Sequence, residues 1–371
     1  MEYRRNQEFS FSEIGIGCYA LSGVYGTKDH HVYIRMLQRA YELGINFFDT
    51  ADTYGTNAEK ILGTALRPFR SDVFIATKVG IRDRGQPKLN ANYVHQACED
   101  SLQRMQIDII DLYQIHFDDP NTPIEETVTA LEKLVREGKI RRYGLGHLPL
   151  EVLKEYSEVG NPFSVLMELS AVGREARDAV LPFCREAGLA AIAFSITGRG
   201  ILTGKIGTKV TFESGDIRIL DPLFQRERFE SALRITEAFR LIGLDYNKTP
   251  VQVAIQWVLT QPGIMCALCG PSTIPHLEEN IGGSGWQLGQ DTLKQIEDLF
   301  QRENRWLVHA QGKILRQLLQ NKLNPDPMQA FTDLIYIIET AVLLKFVEES
   351  SLLPTFIELF SLRDSIDDKT M

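Results

Sequence analysis

Short apolar runs alternate along this chain with segments whose apolar positions fall three and four residues apart, the two periods of strands and of amphipathic helices. The runs that predict strands are Ile14–Cys18, Asn46–Asp49, Val73–Lys78, Ile110–His116, Arg142–Leu145, Ser164–Leu169, Ala190–Phe194 and Ile264–Gly270. Helical spacing predicts Val32–Leu43, Asn92–Met105, Pro123–Glu137, Leu150–Val159 and Ala176–Ala187. Eight strands alternating with helices make the fold class α/β and predict a (β/α)8 TIM barrel. A doubly wound open sheet fits the same periodicity, but no G-x-G-x-x-G turn follows an early strand. Gly44 and Gly138 stand where left-handed helix ends belong, and Pro123 stands where a helix opens.

After Leu299 the alternation stops. Glu303–Gln320 and Pro327–Glu349 read as helices, the second with Asp326 as its cap, and a third short one runs from Pro354 to Leu362. The reading is therefore a barrel over residues 1–301 followed by an additional C-terminal helical extension over 302–371. Between Phe331 and Val347 the segment is apolar on most faces, with Asp333, Glu339 and Lys345 as interruptions. A helix of that kind must be covered on more than one side. The expectation is packing across the barrel, or a homo-oligomer or partner contact through these helices.

Composition narrows the classes. The 371 residues are 44% hydrophobic and 24% charged, ordinary for a globular chain, and the net charge of −9 argues against a partner won by neutralising phosphates, such as nucleic acid. The five cysteines are scattered, which points to reduced thiols. Cys266 and Cys269 form a C-x-x-C, but in a strand residues three apart face opposite sides, so no metal site is expected. No leader-like apolar segment opens the chain, and none approaches the ~20 residues that cross a bilayer, so a cytoplasmic location is expected.

Candidate chemistry sits at the strand ends. Asp49, Tyr54, Lys78 and His116 lie at or just past the C-terminal ends of successive predicted strands, and in a parallel barrel those ends converge on one face. Singly, each has an ordinary structural explanation. Together they close a logic. A phenol of pKa ~10 works poorly near neutrality unless a cation stabilises its phenolate. Lys78 would supply that cation, Asp49 would hold it, and His116 would orient a carbonyl beside Tyr54.

The run Gly44-Ile45-Asn46-Phe47-Phe48-Asp49-Thr50-Ala51-Asp52-Thr53-Tyr54-Gly55, followed by Glu59, resembles the signature of the aldo-keto reductase superfamily. So do Glu13–Gly17, Glu137–Arg141, Gly198–Lys205 and Leu277–Asn280, in order and at family spacing over about residues 2–300. The resemblance implies an NAD(P)(H)-dependent oxidoreductase acting on an aldehyde, ketone or sugar, with Asp49, Tyr54, Lys78 and His116 as catalytic tetrad. It implies that Phe194 stacks on the nicotinamide and that Ser195, Gly198, Arg199 and Gly200 fold over the pyrophosphate. Gly17, Cys18, Gly270 and Ser272 would line the same mouth, with Glu279 and Asn280 on the adenine side. The tail is outside the resemblance. An alternative is a nucleotide-binding, reductase-like subunit that docks to a partner through that tail.

Two departures stand out. Where the family has Ser-Asn, the chain has Gly146-His147, and where a glutamine is common it has Glu168. Both His147 and Glu168 can hydrogen-bond a carboxamide in their place. The family mostly uses NADP(H), gripping the 2′-phosphate with Lys or Arg after the eighth strand. Gly270–Asn280 contains neither, which tilts the expectation toward NAD(H).

Overall fold

A computed structural model describes residues 1–6, 9–55, 57–80, 87–320, 333, 334, 336 and 337. Two short strands, β1 (Tyr3–Arg5) and β2 (Ser10–Ser12), pair antiparallel at the N-terminus. Eight further strands follow: β3 (Ile14–Gly17), β4 (Phe47–Asp49), β5 (Phe74–Val79), β6 (Ile110–Ile115), β7 (Ile140–Leu145), β8 (Ser164–Glu168), β9 (Ala190–Phe194) and β10 (Ile264–Cys269). They run parallel and close into a barrel in the order β10-β3-β4-β5-β6-β7-β8-β9. The (β/α)8 barrel read from the periodicity is thus the observed fold. Its strands are buried on both faces, which is why they read as nearly continuous apolar runs.

Helices α1 (His30–Glu42), α2 (Ala58–Leu66), α3 (Ala91–Met105), α4 (Ile124–Arg136) and α5 (Leu150–Val159) follow β3 to β7. Their ends obey local chemistry. Asp29 caps α1 by accepting from the amides of His31 and Val32, Asn90 caps α3 through Tyr93, and Gly44 and Gly138 take positive φ of 90° and 71°. The expected helix Ala176–Ala187 is broken into α6 (Glu175–Asp178) and α7 (Val180–Glu186). Pro182 is the reason, since its ring excludes the Asp178 carbonyl and offers no N–H to it. Later come α8 (Arg226–Tyr246), α9 (Pro250–Leu259), α10 (Ile274–Ile281) and α11 (Gln290–Gln320).

The N-terminal hairpin closes one end of the barrel. Phe11 packs on Phe47 and Phe74 with ring centroids 4.7 and 4.8 Å apart, and Phe9 lies 5.1 Å from Phe163. Those partners sit at strand starts, so the aromatic plug fills the N-terminal mouth. Arg4 completes it by donating to the carbonyls of Leu259 and Ile264. The opposite, C-terminal mouth is left to the loops.

Two compact units make up the described chain: Met1–Ile217 with Ala232–Lys294, and Arg218–Ser231 with the described residues from Gln295 onward. In the second, Arg226 pairs with Asp333 and lies over the Tyr336 ring, while the Tyr336 hydroxyl donates to Glu227 at 2.8 Å. Helix α11 runs unbroken through the position near 301 where the barrel was expected to end, so Glu303–Gln320 is its later part rather than a separate helix. Apart from Asp333, Leu334, Tyr336 and Ile337, the expected helices Pro327–Glu349 and Pro354–Leu362 lie outside the described residues.

Helix α2 meets α3 so closely that a Cβ built on Gly63 would stand 2.0 Å from the Met105 carbonyl oxygen. A backbone atom cannot swing aside as a side chain would. Gly63→Ala is therefore expected to cost about 3 kcal/mol, whereas Gly207→Ala, with open space around it, should leave the urea midpoint in place. Equal midpoints for the two variants would refute this packing.

Candidate active site

Register assembles the polar cluster. Asp49 pairs with Gly17 on one side and Ala76 on the other, and Lys78 pairs with Gln114. Asp49, Lys78 and His116 therefore end three adjacent strands at the loop-bearing mouth. The Lys78 ammonium, 1% exposed, donates to Asp49 Oδ1 at 2.5 Å and to the Thr50 carbonyl at 2.7 Å. Gln114 Nε2 donates to the other Asp49 oxygen at 2.9 Å. Gln114 was not singled out from the sequence. The signal was there: it shares strand parity with His116, a polar residue among the apolar Leu112, Tyr113 and Ile115.

Tyr54 is carried by a tight turn after β4, its amide bonded to the Ala51 carbonyl. The Lys78 ammonium lies 4.8 Å from the Tyr54 ring centroid. The His116 ring stands 5.9 Å away, and Tyr19 flanks the other side at 5.0 Å. All four residues of the expected tetrad are thus brought together.

Electrostatics corrects one part of the sequence argument. Burial pushes the Tyr54 phenol up to about 12, and the neighbouring ammonium offsets only part of that rise. The phenol is not lowered toward neutrality. Burial acts to lower Lys78, but Asp49 and Tyr54 outweigh it and keep it an ammonium. Burial, then Lys78 and His147, hold His116 well below the ordinary imidazole range, so it is neutral.

The influence of His147 on His116 joins the tetrad to the other half of the mouth. There His147 meets the half-buried Phe194 ring edge-on at 5.7 Å. Glu168 lies beside Phe194 in the β8–β9 register and pairs with Arg199 at 2.9 Å. Ser195, Gly198, Arg199 and Gly200 all take positive φ, so the backbone after β9 doubles back over this edge. Gly17 and Gly270 leave the rim between β3 and β10 bare of side chains: a Cβ on Gly270 would meet only the Gly17 carbonyl, at 3.7 Å. A flat ring against Phe194 with an extended chain across that bare rim fits these residues, as a dinucleotide would require.

The remaining expected residues are distributed less tightly. Cys18 is fully buried, its thiol facing the Tyr33 phenol, so it offers the mouth no side chain. Ser272 is half-buried just before α10, and Asn280 is buried within it. Glu279 pairs with Lys205 at 2.6 Å and Glu278 with Arg39 at 3.2 Å, so both carboxylates are charge-paired. Lys205, the last residue of the Gly198–Lys205 motif, was not singled out from the sequence; the fold brings it to Glu279. Among the described residues no cluster suited to a metal ion occurs, and no helix is long and apolar enough to cross a membrane.

A family model described as "Aldo/keto reductase family" matches residues 13–301. The chain belongs to the aldo/keto reductase family. Probable aldo-keto reductase 1 of Glycine max is 35% identical over 297 residues, covering 78% of this chain and 86% of that one. The Schizosaccharomyces pombe protein "Aldo-keto reductase yakc [NADP(+)]" is 32% identical over 302 residues, covering 77% and 87%. Among solved structures, a glycerol dehydrogenase from Gluconobacter oxydans superposes with a TM-score of 0.75 at 28% identity, covering 87% of this chain and 98% of its own. This aldo/keto reductase is accordingly an oxidoreductase of the NAD(P)(H)-using kind, and the family match ends at residue 301, within α11.

The buried pair at the centre can be tested for what it costs. Removing one partner strands the other charge, so Lys78→Met should destabilise the protein by about 3–5 kcal/mol. Asp49→Leu combined with Lys78→Met removes both charges and should recover most of that loss in urea unfolding. A double variant as unstable as the single one would show that the pair is not compensating itself.

Proposed function

We propose that the chain transfers a hydride between a nicotinamide and a small aldehyde, ketone or sugar, with Tyr54 as general acid in reduction and general base in oxidation. The observation that carries this reading is a tyrosine ring 4.8 Å from the buried Lys78 ammonium, which Asp49 holds, with the His116 ring 5.9 Å away. A nicotinamide held against Phe194 supplies or accepts the hydride. The protein's own task is the proton. Tyr54 holds it through the neutral range, because burial raises the phenol. An alkoxide forming at the substrate is a stronger base than a phenolate, so transfer from Tyr54 is downhill, and Lys78 stabilises the phenolate left behind. Neutral His116 donates to the carbonyl oxygen and orients it. In oxidation Tyr54 takes the alcohol proton by the same path in reverse.

His147 and Glu168 are proposed to hold the carboxamide, with Ser195, Gly198, Arg199 and Gly200 along the pyrophosphate and Ser272, Glu279 and Asn280 toward the adenosine. The names of the relatives, a glycerol dehydrogenase and an NADP(+) reductase, support the reaction class. NAD(H) is proposed as the preferred nucleotide: Gly270–Asn280 holds no Lys or Arg, and Lys205 is already engaged by Glu279. Fluorescence titration of NADH and NADPH tests this. NADPH binding a hundredfold tighter, about 2.7 kcal/mol, would overturn it.

Tyr54→Phe removes the transferable proton and keeps the ring. Turnover should fall by about 10²–10⁴-fold with cofactor affinity little changed. Near wild-type turnover at 340 nm in this variant would sink the mechanism.

A further inference from the structure

The turn that presents Tyr54 also presents Thr53, a residue the proposed chemistry does not use. Thr53 stands exposed one position before Tyr54, and its hydroxyl oxygen lies 3.4 Å from His116 Nδ1. Two side chains of one turn therefore reach the same imidazole. Thr53 meets it at a ring nitrogen, and Tyr54 meets it edge-on, the planes at 76° and the centroids 5.9 Å apart. The backbone beneath the ring is anchored separately, the His116 amide donating to the Val79 carbonyl at 2.6 Å. That anchor leaves the ring its last side-chain torsion, which is broad for an imidazole. Thr53 is the contact that fixes it. The other ring nitrogen, Nε2, has no hydrogen-bond partner among the described residues.

A neutral imidazole has one N–H and one lone pair, and the hydrogen bond made at one nitrogen decides which end carries the proton. Burial, with Lys78 and His147 adding to it, keeps His116 neutral. With the proton on Nδ1, the Nε2 lone pair would face a substrate oxygen and repel it. With a donor at Nδ1, the proton sits on Nε2 and is available to that oxygen. A threonine hydroxyl is such a donor. We propose that Thr53 is the positioning residue of His116, donating from its hydroxyl to Nδ1 and so placing the ring proton on Nε2, where it meets the carbonyl oxygen beside Tyr54. The inference rests on the reading of His116 as the residue that orients the carbonyl. One turn then sets both donors to the substrate oxygen, Tyr54 directly and His116 through Thr53.

The test combines a tautomer measurement with a mutant cycle on the full-length protein. In nitrogen NMR of histidine-labelled protein, the His116 signals are those lost in His116→Phe. They should show the proton on Nε2 in the wild type and a mixture of tautomers in Thr53→Val, which keeps the threonine shape and removes the hydroxyl. For glyceraldehyde reduction at saturating cofactor, Thr53→Val should lower kcat/KM by about threefold to tenfold, the range an ordinary hydrogen bond allows. Cofactor Kd and Tm should stay where they are. Thr53→Ser should restore both the tautomer and the rate. In a His116→Phe background Thr53→Val should cost nothing further, because Thr53 acts through the imidazole. A wild-type proton on Nδ1, a tautomer indifferent to Thr53→Val, or a full loss that persists in the His116→Phe background would each overturn the inference. The underlying reading fails by a different result, namely wild-type turnover in His116→Phe itself.

Discussion

An ammonium with 1% of its surface exposed has to be compensated where it lies, and the neighbourhood of Lys78 is organised around that requirement. Asp49 from β4 meets its charge, the Thr50 carbonyl takes a second proton, and Gln114 from β6 holds the far oxygen of Asp49. The three side chains come from three neighbouring strands. None of these bonds can form unless the parallel register is correct to the residue, since a slip of one position would turn each side chain to the other face of the sheet. The ion pair and the barrel therefore depend on each other.

The two mouths of the barrel divide the labour. At the N-terminal end Phe9 and Phe11 wedge among Phe47, Phe74 and Phe163, and Arg4 satisfies carbonyls at the edge of β10. That end is closed by packing. At the C-terminal end polar groups, glycine backbone and long loops remain, the arrangement on which barrel enzymes build their sites. The backbone after β9 shows the consequence: Ser195 and Arg199 take left-handed conformations although neither is glycine, a local cost borne where the chain must fold back over its own strand ends.

Burial, more than pairwise charge, sets the protonation of this site. It raises Tyr54 and Asp52, and it lowers His116. Lys78 close by offsets part of the rise of Tyr54 and adds to the lowering of His116. The result is a neutral phenol and a neutral imidazole beside one charged lysine, which is the condition for a phenol to act as a donor and an imidazole to orient an oxygen without competing for the proton.

The alternation of apolar runs with helical spacing was enough to predict an α/β barrel, because strands buried on both faces and amphipathic helices leave unmistakable periods in the sequence. Asp49, Tyr54, Lys78 and His116 were legible for the same reason: in a parallel barrel, position at a strand end already means position at the mouth. The β1–β2 hairpin was not, since its strands, Tyr-Arg-Arg and Ser-Phe-Ser, hold no apolar run to mark them. Nor were the pairing of Lys205 with Glu279, the bond from Gln114 to Asp49, or the meeting of Glu59 with Thr77 and Arg104. Each joins residues distant in the chain through elements that only the closed barrel sets side by side. The height of the Tyr54 phenol was decided by the tertiary structure as well. Sequence names the cation next to it, but the degree of burial that outweighs that cation is a property of packing in three dimensions.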